Sequence, residues 1–242
     1  MITRSSTFLI TCEHGGSHIP PRYRNLFHGH EALLSTHRGY DTGALTMARD
    51  LARELRAPLV ASTTSRLLID LNRSLGHKHL YSEATRSIAP EVRRQIVRRC
   101  YLPYRIKVEA IVRNAIAEGR RAIHISSHTF TPELAGEVRK ADIGLLYNPL
   151  RAGEVKLCMR WQASLKASAP ELKVRRNYPY AGKADGLTSH LRRCFPPGAY
   201  IGVELEINQK HVTRERAWRE LRASLIEALR NALPLGFSGR GN

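Results

Sequence analysis

The chain alternates short apolar runs with longer stretches in which apolar residues recur every three to four positions. Short apolar runs are typical of buried strands, and the longer periodic stretches are typical of helices packed on one face. This order predicts an α/β fold in which a mixed or mainly parallel sheet is covered by helices. The predicted strands are 7–12, 58–62, 67–69, 121–132, 143–147 and 200–208, and the predicted helices are 44–55, 89–118 with a break at Pro103, 152–166 and 213–233.

Polar and charged residues repeatedly stand where predicted strands end. The first strand is followed by Glu13 and His14, the long middle strand carries His128 near its end, and the last strand carries Glu204 and Glu206. Alternate residues of a strand point to the same face, so the two glutamates share one side, which is either a functional surface or a solvated acidic face. Open α/β sheets bind ligands at the carboxyl ends of their strands. We therefore expect the functional site in that crevice.

The segment 65–73 concentrates groups that recognise anions. Arg66 and Asp70 flank a short predicted strand, and Asn72 and Arg73 follow it. A guanidinium can fork onto a carboxylate or a developing oxyanion, and an asparagine adds amide donors. Asp70 is placed to orient either arginine. The alternative is that both arginines form structural ion pairs at the ends of the strand.

Metal binding is a second possibility raised by these residue types. His14 and His128 belong to the commonest class of metal ligand, although a histidine in a loop or at a strand end is often only solvated. Asp41 stands in a polar loop before the predicted helix 44–55. Either Asp41 or Thr42 could serve only as the N-cap of that helix.

A turn-rich loop, 177–186, is too polar for a core. It carries Tyr180 and Lys183, which could close over a ligand. The alternative is an ordinary surface loop.

The composition is that of a globular protein, with 242 residues, 42% hydrophobic and 25% charged. We expect one domain over residues 1–242. The net charge of +18 is unusual and suggests nucleic acid, an anionic surface or an acidic substrate as partner. The arginines are scattered, and we find no helix-turn-helix, RNA-binding aromatic motif or zinc finger, so nucleic-acid binding is the less favoured alternative. The four cysteines lack CxxC spacing and no run approaches membrane-spanning length, which leads us to expect no membrane partner and a reducing, cytoplasmic setting.

Taken together, the motifs resemble the N-formylglutamate amidohydrolase family over nearly the whole chain. Each motif is weak alone, but their common order is specific. They are Cys12-Glu13-His14, Tyr40-Asp41-Thr42-Gly43, Ser65-Arg66 with Asp70-Leu71-Asn72-Arg73, Ser127-His128-Thr129-Phe130-Thr131-Pro132, Asn177-Tyr178-Pro179-Tyr180 and Glu206-Ile207.

The resemblance implies a fold and a chemistry. The family is similar to zinc carboxypeptidases and aspartoacylase, which implies a phosphorylase/hydrolase-like mixed sheet flanked by helices on both faces. It also implies Zn²⁺ or another divalent metal, held by His14, His128 and one carboxylate, with Asp41 and Glu13 as the contenders. Such a metal activates water and polarises the amide carbonyl.

The same resemblance assigns roles to the remaining residues. Glu206 is implied as the general base and then acid, and Arg66 as the group that stabilises the oxyanion. Asn72 and Arg73 would grip the substrate α-carboxylate. Tyr180 and Lys183 are the weaker candidates for a second carboxylate.

The implied substrate is a small anionic N-acyl amino acid, above all N-formyl-L-glutamate, which would yield L-glutamate and formate. The alternative within enzymes is a metallo-deacylase or carboxypeptidase acting on another N-acyl amino acid or peptide. Two positions depart from the related patterns. Ser17 stands where the carboxypeptidase His-x-x-Glu motif has its glutamate, and Arg105 follows Pro103-Tyr104 where the family often has histidine.

Overall fold

A six-stranded sheet forms the centre of the computed structural model, which describes residues 5–233. The strand order is β2-β1-β3-β8-β6-β7, and neighbouring strands run parallel except for β6 and β8. The mixed, mainly parallel α/β sheet predicted from the sequence is confirmed. The strands of the sheet are β1 (Ser6–Cys12), β2 (Leu59–Ala61), β3 (Arg121–Phe130), β6 (Ile143–Leu146), β7 (Val174–Arg176) and β8 (Tyr200–Asn208), and β4 (Glu133–Leu134) pairs with β5 (Glu137–Val138) in a separate hairpin.

Helices cover both faces of the sheet. Alternation along β1 sends Phe8 and Ile10 into a core with α2, α5 and α7, and sends Leu9 into a second core with α4 and α6. The indole N–H of Trp161 on α5 donates to the carbonyl of Leu225 on α7, 3.0 Å away, and ties that layer together. The helices are α1 (Glu31–Leu34), α2 (Ala44–Glu54), α3 (Pro90–Ile96), α4 (Leu102–Ala117), α5 (Ala152–Ser168), α6 (Leu187–Cys194) and α7 (Glu215–Ala232).

The predicted strand 67–69 is wrong. These residues are buried, but they lie in a turn and in the irregular segment that follows it instead of the sheet. The N–H of Leu68 donates to the carbonyl of Ser65, and the N–H of Asp70 donates to that of Leu80. A short apolar run reports burial, and it cannot distinguish a buried strand from a buried turn whose backbone groups are satisfied elsewhere.

The predicted break at Pro103 is confirmed as a change of helix type. A π-helical segment, Val97–Tyr101, separates α3 from α4, and Pro103 stands in the first turn of α4. Proline has no N–H to donate to the preceding turn, so a wider turn is accommodated there. Sequence reasoning missed β7 and α6, because both are short and carry mostly polar residues.

No helix within residues 5–233 has the combination of length and apolarity that crossing a membrane requires. The cysteines are free thiols, in line with their unpaired spacing.

Candidate active site

The candidate site lies at the carboxyl ends of β1, β3 and β8. Parallel pairing of β3 with β8 places His128 beside Glu206 and Ser126 beside Glu204. On the other side of β3, β1 leads directly into His14. A cavity of about 190 Å³ opens at this edge of the sheet. Every predicted site residue except Lys183 lines it, namely His14, Asp41, Arg66, Asn72, Arg73, His128, Tyr180 and Glu206.

Three buried side chains converge on one point of the cavity wall. Ligand atoms of His14, Asp41 and His128 lie within 4.8 Å of one another. Oδ2 of Asp41 is 2.9 Å from Nδ1 of His128 and 3.4 Å from Nδ1 of His14. Nδ1 of His14 is buried and has no hydrogen-bond partner within the described chain, which is costly for a polar atom. Two imidazoles and a carboxylate, with one nitrogen left over, fit the donor set of a divalent metal ion such as zinc.

The far nitrogen of each histidine is held by a carboxylate. Nε2 of His14 lies 2.7 Å from Oδ1 of Asp70, and Nε2 of His128 lies 3.0 Å from Oε2 of Glu13. An ionised carboxylate only accepts, so each contact places a ring proton on Nε2. Nδ1 of His14 is left without a partner among the described residues, whereas Nδ1 of His128 donates to Oδ2 of Asp41. Burial lowers the pKa of His128, but Asp41 and Glu13 outweigh it and hold that pKa well above its usual range. Carboxylates of this kind orient metal-binding histidines. Glu13 therefore lies behind His128, and Asp41 is the contender that faces both Nδ1 atoms.

Glu13 is itself fixed from two sides. The hydroxyl of Tyr104 donates to Oε1 over 2.8 Å, and that of Ser126 donates to Oε2 over 2.6 Å. Burial acts to raise the pKa of Glu13, but hydrogen bonds from His128 and Ser126 hold it well below its usual range. The carboxylate that orients His128 is therefore kept ionised.

Arg66 links the groups around the two histidines. One terminal nitrogen donates to Oδ1 of Asp41 over 3.1 Å, and the other donates to Oδ2 of Asp70 over 3.2 Å. Burial opposes ionisation of both aspartates, but His14 and Arg66 hold the pKa of each well below its usual range. The sequence left open whether Arg66 forms structural ion pairs or belongs to an anion-binding site. In the structure it forms ion pairs and also lines the cavity.

The alternative that Asp41 or Thr42 caps α2 is wrong. The N-cap is Gly43, with φ of 86°, and no side chain caps the helix. Positive φ is readily adopted by glycine, and it lets the chain turn so that only the backbone carbonyl of Asp41 meets the helix, accepting from Ala44. The carboxylate of Asp41 is thereby left for the cavity.

The two glutamates of β8 differ in their partners. Glu204 accepts a 2.5 Å hydrogen bond from the hydroxyl of Thr188, whereas Oε2 of Glu206 is buried and has no partner within residues 5–233. Burial raises the pKa of Glu206 to about 8, helped by Asp41 and Glu204 and opposed by His128. A buried carboxyl group of this kind suits the transfer of a proton near neutral pH.

Asn72 and Arg73 are held by the loop that leads into α6. Oδ1 of Asn72 accepts from the N–H of Leu187 over 2.7 Å, and a terminal nitrogen of Arg73 donates to the carbonyl of Asp185 over 2.8 Å. The amide NH₂ of Asn72 and the other guanidinium donors of Arg73 make no further hydrogen bonds within the described residues. Both side chains line the cavity and offer these donors to it.

The loop 177–186 meets the cavity through only one of its two predicted residues. Tyr180 lines the cavity, whereas Lys183 is exposed and lies outside the lining. The loop is fastened by Asn177, whose Oδ1 accepts from the N–H groups of Tyr147 and Gly182, each over 3.0 Å.

The chain is similar to known proteins over most of its length. The family model of N-formylglutamate amidohydrolase matches residues 6–213. The chain belongs to the N-formylglutamate amidohydrolase family. This membership identifies it as a hydrolase of the amidohydrolase type.

Two solved structures resemble this member of the family. A gene product of Agrobacterium tumefaciens is 28% identical, with a TM-score of 0.81 over 95% of this chain and 91% of that one. The N-formylglutamate amidohydrolase from Ralstonia eutropha is 19% identical, with a TM-score of 0.67 over 96% of this chain and 94% of that one. At that identity the second likeness supports the fold alone. A search of curated proteins finds no match.

Some residues around the site of this family member were missed or misplaced by sequence reasoning. Tyr104 and Ser126, which hold Glu13, gave no signal because they lie on elements distant in the chain. Glu13 could have been recognised as a supporting group from its position directly before His14. Arg105, which replaces the histidine often found in the family, does not line the cavity. It is buried and donates to the carbonyl of Leu71 over 3.1 Å, behind the turn that carries the substrate-binding candidates.

Proposed function

We propose that the protein is a metal-dependent amidohydrolase that cleaves a small anionic N-acyl amino acid, with N-formyl-L-glutamate as the favoured substrate. The observation that carries this proposal is the presence of two unsatisfied buried atoms in one cavity. These atoms are Nδ1 of His14 and Oε2 of Glu206. The histidine nitrogen can bind a cation, and the glutamate oxygen can accept a proton. Metal-assisted amide hydrolysis requires a group of each kind. Membership of the amidohydrolase family supports the same reaction class.

His14, Asp41 and His128 would hold the metal. When bound there, a divalent ion supplies a Lewis acid and lowers the pKa of coordinated water toward neutrality. Asp70 and Glu13 hold Nε2 of the two histidines and so keep both rings in the orientation in which Nδ1 could bind the metal.

Glu206 would accept the proton of the attacking water and then deliver it to the leaving nitrogen. Its pKa of about 8, raised above the ordinary value by burial, means that both the ionised and the protonated form are populated near neutral pH. The same group can therefore act first as base and then as acid.

Arg66 would stabilise the negative charge that develops on the carbonyl oxygen. Its two terminal nitrogens are already oriented by Asp41 and Asp70, and each carries a second N–H. One well-placed donor of this kind contributes about 3–4 kcal/mol to transition-state stabilisation. Asn72 and Arg73 would orient the substrate by binding its α-carboxylate through their remaining donors.

The size of the cavity favours an amino-acid derivative over a peptide. Its volume of about 190 Å³ is below the range of about 300–1,000 Å³ that is typical of sites for larger ligands. A metallo-deacylase that acts on another compact N-acyl amino acid is the nearest alternative.

The test combines metal analysis with a substrate panel. We expect the purified protein to hold one divalent metal per chain and to hydrolyse N-formyl-L-glutamate faster than N-acetyl and neutral N-acyl amino acids. His128→Ala should lose the metal and the activity and retain the circular dichroism of the fold. His18→Ala is the matched control, because His18 is an exposed loop histidine outside the ligand group. Full metal content in His128→Ala, or no hydrolysis of any N-acyl amino acid by metal-loaded protein, would contradict the proposal.

A further inference from the structure

Arg139 lies just outside the cavity lining and contacts Tyr180, which belongs to it. Its guanidinium carbon is 5.2 Å from the ring centre of Tyr180 and 5.8 Å from that of Phe130. The backbone of Arg139 is fixed as well, because its N–H donates to the carbonyl of Pro132 and its carbonyl accepts from the side chain of Asn208. The hairpin β4–β5 therefore delivers this cation to a defined position.

The charge of Arg139 is not balanced within the described chain. Arg66 is paired with two aspartates, and the buried Arg192 is paired with Glu154. Arg139 has no carboxylate within ion-pairing distance among residues 5–233, and a single side-chain hydrogen bond uses one of its donors. A partly buried guanidinium with free donors and no counter-ion is suited to an anionic ligand.

The one side-chain hydrogen bond of Arg139 within the described residues connects it to a residue of the cavity lining. A terminal nitrogen donates to the hydroxyl oxygen of Tyr180 over 3.1 Å, and Tyr180 lines the cavity. Because the tyrosine oxygen accepts from Arg139, its own proton is available to a further acceptor. An anion that accepts this proton also lies next to the remaining guanidinium donors.

We propose that Arg139, together with Tyr180, binds the side-chain carboxylate of the substrate and makes the enzyme selective for acidic N-acyl amino acids. This inference rests on the proposed function and adds a specificity determinant to it. Arg73 and Asn72 serve the α-carboxylate, and Arg139 serves the second anionic group. Neither Arg139 nor Lys183 lines the cavity, but Arg139 donates to Tyr180 of the lining, whereas the exposed side chain of Lys183, the cation that the sequence suggested for this task, makes no hydrogen bond within the described residues.

The test compares an acidic substrate with its neutral isostere. Arg139→Met keeps an apolar stem against Phe130 and Tyr180 and removes the charge. The matched control is Lys183→Met, which removes a nearby charge that makes no hydrogen bond to the cavity lining. The values of kcat/KM are measured for N-formyl-L-glutamate and N-formyl-L-glutamine.

We expect Arg139→Met to lower kcat/KM for the glutamate substrate by about 10- to 100-fold, the loss of hydrogen bonds to a charged group. The glutamine substrate should lose less than about threefold, and Lys183→Met should change neither value by more than that. Arg139→Lys should restore part of the preference, since it retains the charge without the planar fork.

Three results would overturn the inference. Equal losses on both substrates would mean that Arg139 only positions Tyr180, and no loss on either would mean that the substrate does not reach it. Wild-type protein that hydrolyses glutamine and glutamate substrates equally would also overturn it and leave the proposed amidohydrolase activity intact. Failure of the proposed function is recognised separately, as metal-loaded wild type without activity on any N-acyl amino acid. Thermal melts report folding, and Arg139→Gln replaces Arg139→Met if that variant does not fold.

Discussion

Two buried groups of charged residues in this protein differ in whether their hydrogen-bonding atoms have partners. In the first, Arg192 on α6 contacts both carboxylate oxygens of Glu154 on α5, at 3.0 and 3.1 Å, and also donates to the carbonyls of Gly182 and Gly202. Glu154 additionally accepts from the backbone N–H groups of Asn148 and Gly202. In the second, around His14 and Glu206, two buried atoms lack a partner within the described residues.

The difference separates a structural charge network from a functional one. Burying charge is costly, so a network that only supports the fold is stable when its donors and acceptors are used within the protein. The Glu154–Arg192 pair meets this condition and ties the loop 177–186 to β8 through the two glycine carbonyls. The group at the cavity leaves a nitrogen and a carboxyl oxygen unsatisfied where a ligand can reach them. Two further buried atoms without a partner in the described chain, on Tyr23 and Arg222, lie apart from the cavity, so the candidate site is distinguished by having two such atoms in one cavity.

The largest effect on catalysis is expected from replacing Glu206, whose carboxyl oxygen has no partner within the described residues. Glu206→Gln is nearly isosteric but cannot accept a proton, so kcat should fall by about two to four orders of magnitude. Metal content and melting temperature should stay near those of the wild type, since the ligands are untouched.

Glu204→Gln is the matched control, because Glu204 is on the same face of β8 but is already bonded to Thr188. It should have a milder effect on steady-state kinetics. If the two variants exchange their effects, Glu204 is the base, and if both are harmless, another group carries the proton.

An effect of comparable energy, measured as a loss in the free energy of unfolding, is expected when the Glu154–Arg192 pair is disrupted. Arg192→Met leaves Glu154 buried without its cation, and the free energy of unfolding should fall by about 3–5 kcal/mol. Chemical denaturation measures this change. Arg216→Met, which breaks an exposed pair with Glu220, should cost less than about 1 kcal/mol. A loss in Arg192→Met as small as in this control would show that the network does not support the fold.

A smaller effect is expected from the group that orients His14. Asp70→Asn retains the size of the side chain but weakens its interaction with Nε2, so metal affinity should fall by about 10- to 100-fold. Competition with a chromogenic chelator measures the affinity. Asp185→Asn serves as the control, because Asp185 also lines the cavity but bonds to Ser74 and contacts neither histidine. Equal affinities for Asp70→Asn and the wild type would remove Asp70 from the metal centre.

The smallest effect is expected from substrate orientation. Arg73→Lys keeps the charge and loses the fork, so KM should rise by about tenfold with little change in kcat. Steady-state kinetics on N-formyl-L-glutamate provides both values, and Arg175→Lys, on the exposed part of β7, is the control. An unchanged KM would mean that Arg73 acts only through its bond to the carbonyl of Asp185.

The sequence by itself determined the order of most elements and the chemical types at the candidate site. Apolar runs and helical periodicity report local burial, so β1, β3, β8 and α2 could be placed from the pattern alone. The motifs also selected the residues that line the cavity, because their chemistry is unusual at strand ends.

Only the tertiary structure decided which of these residues face one another. Glu13 meets Ser126 across the β1–β3 pairing, and this contact turns Glu13 away from the cavity and leaves Asp41 beside the histidines. Glu204 became distinguishable from Glu206 only through Thr188, which α6 supplies. Arg139 gained its place from a hairpin that no local pattern predicts. Such contacts depend on strand register and loop docking between residues far apart in the chain, and local periodicity carries no information about either.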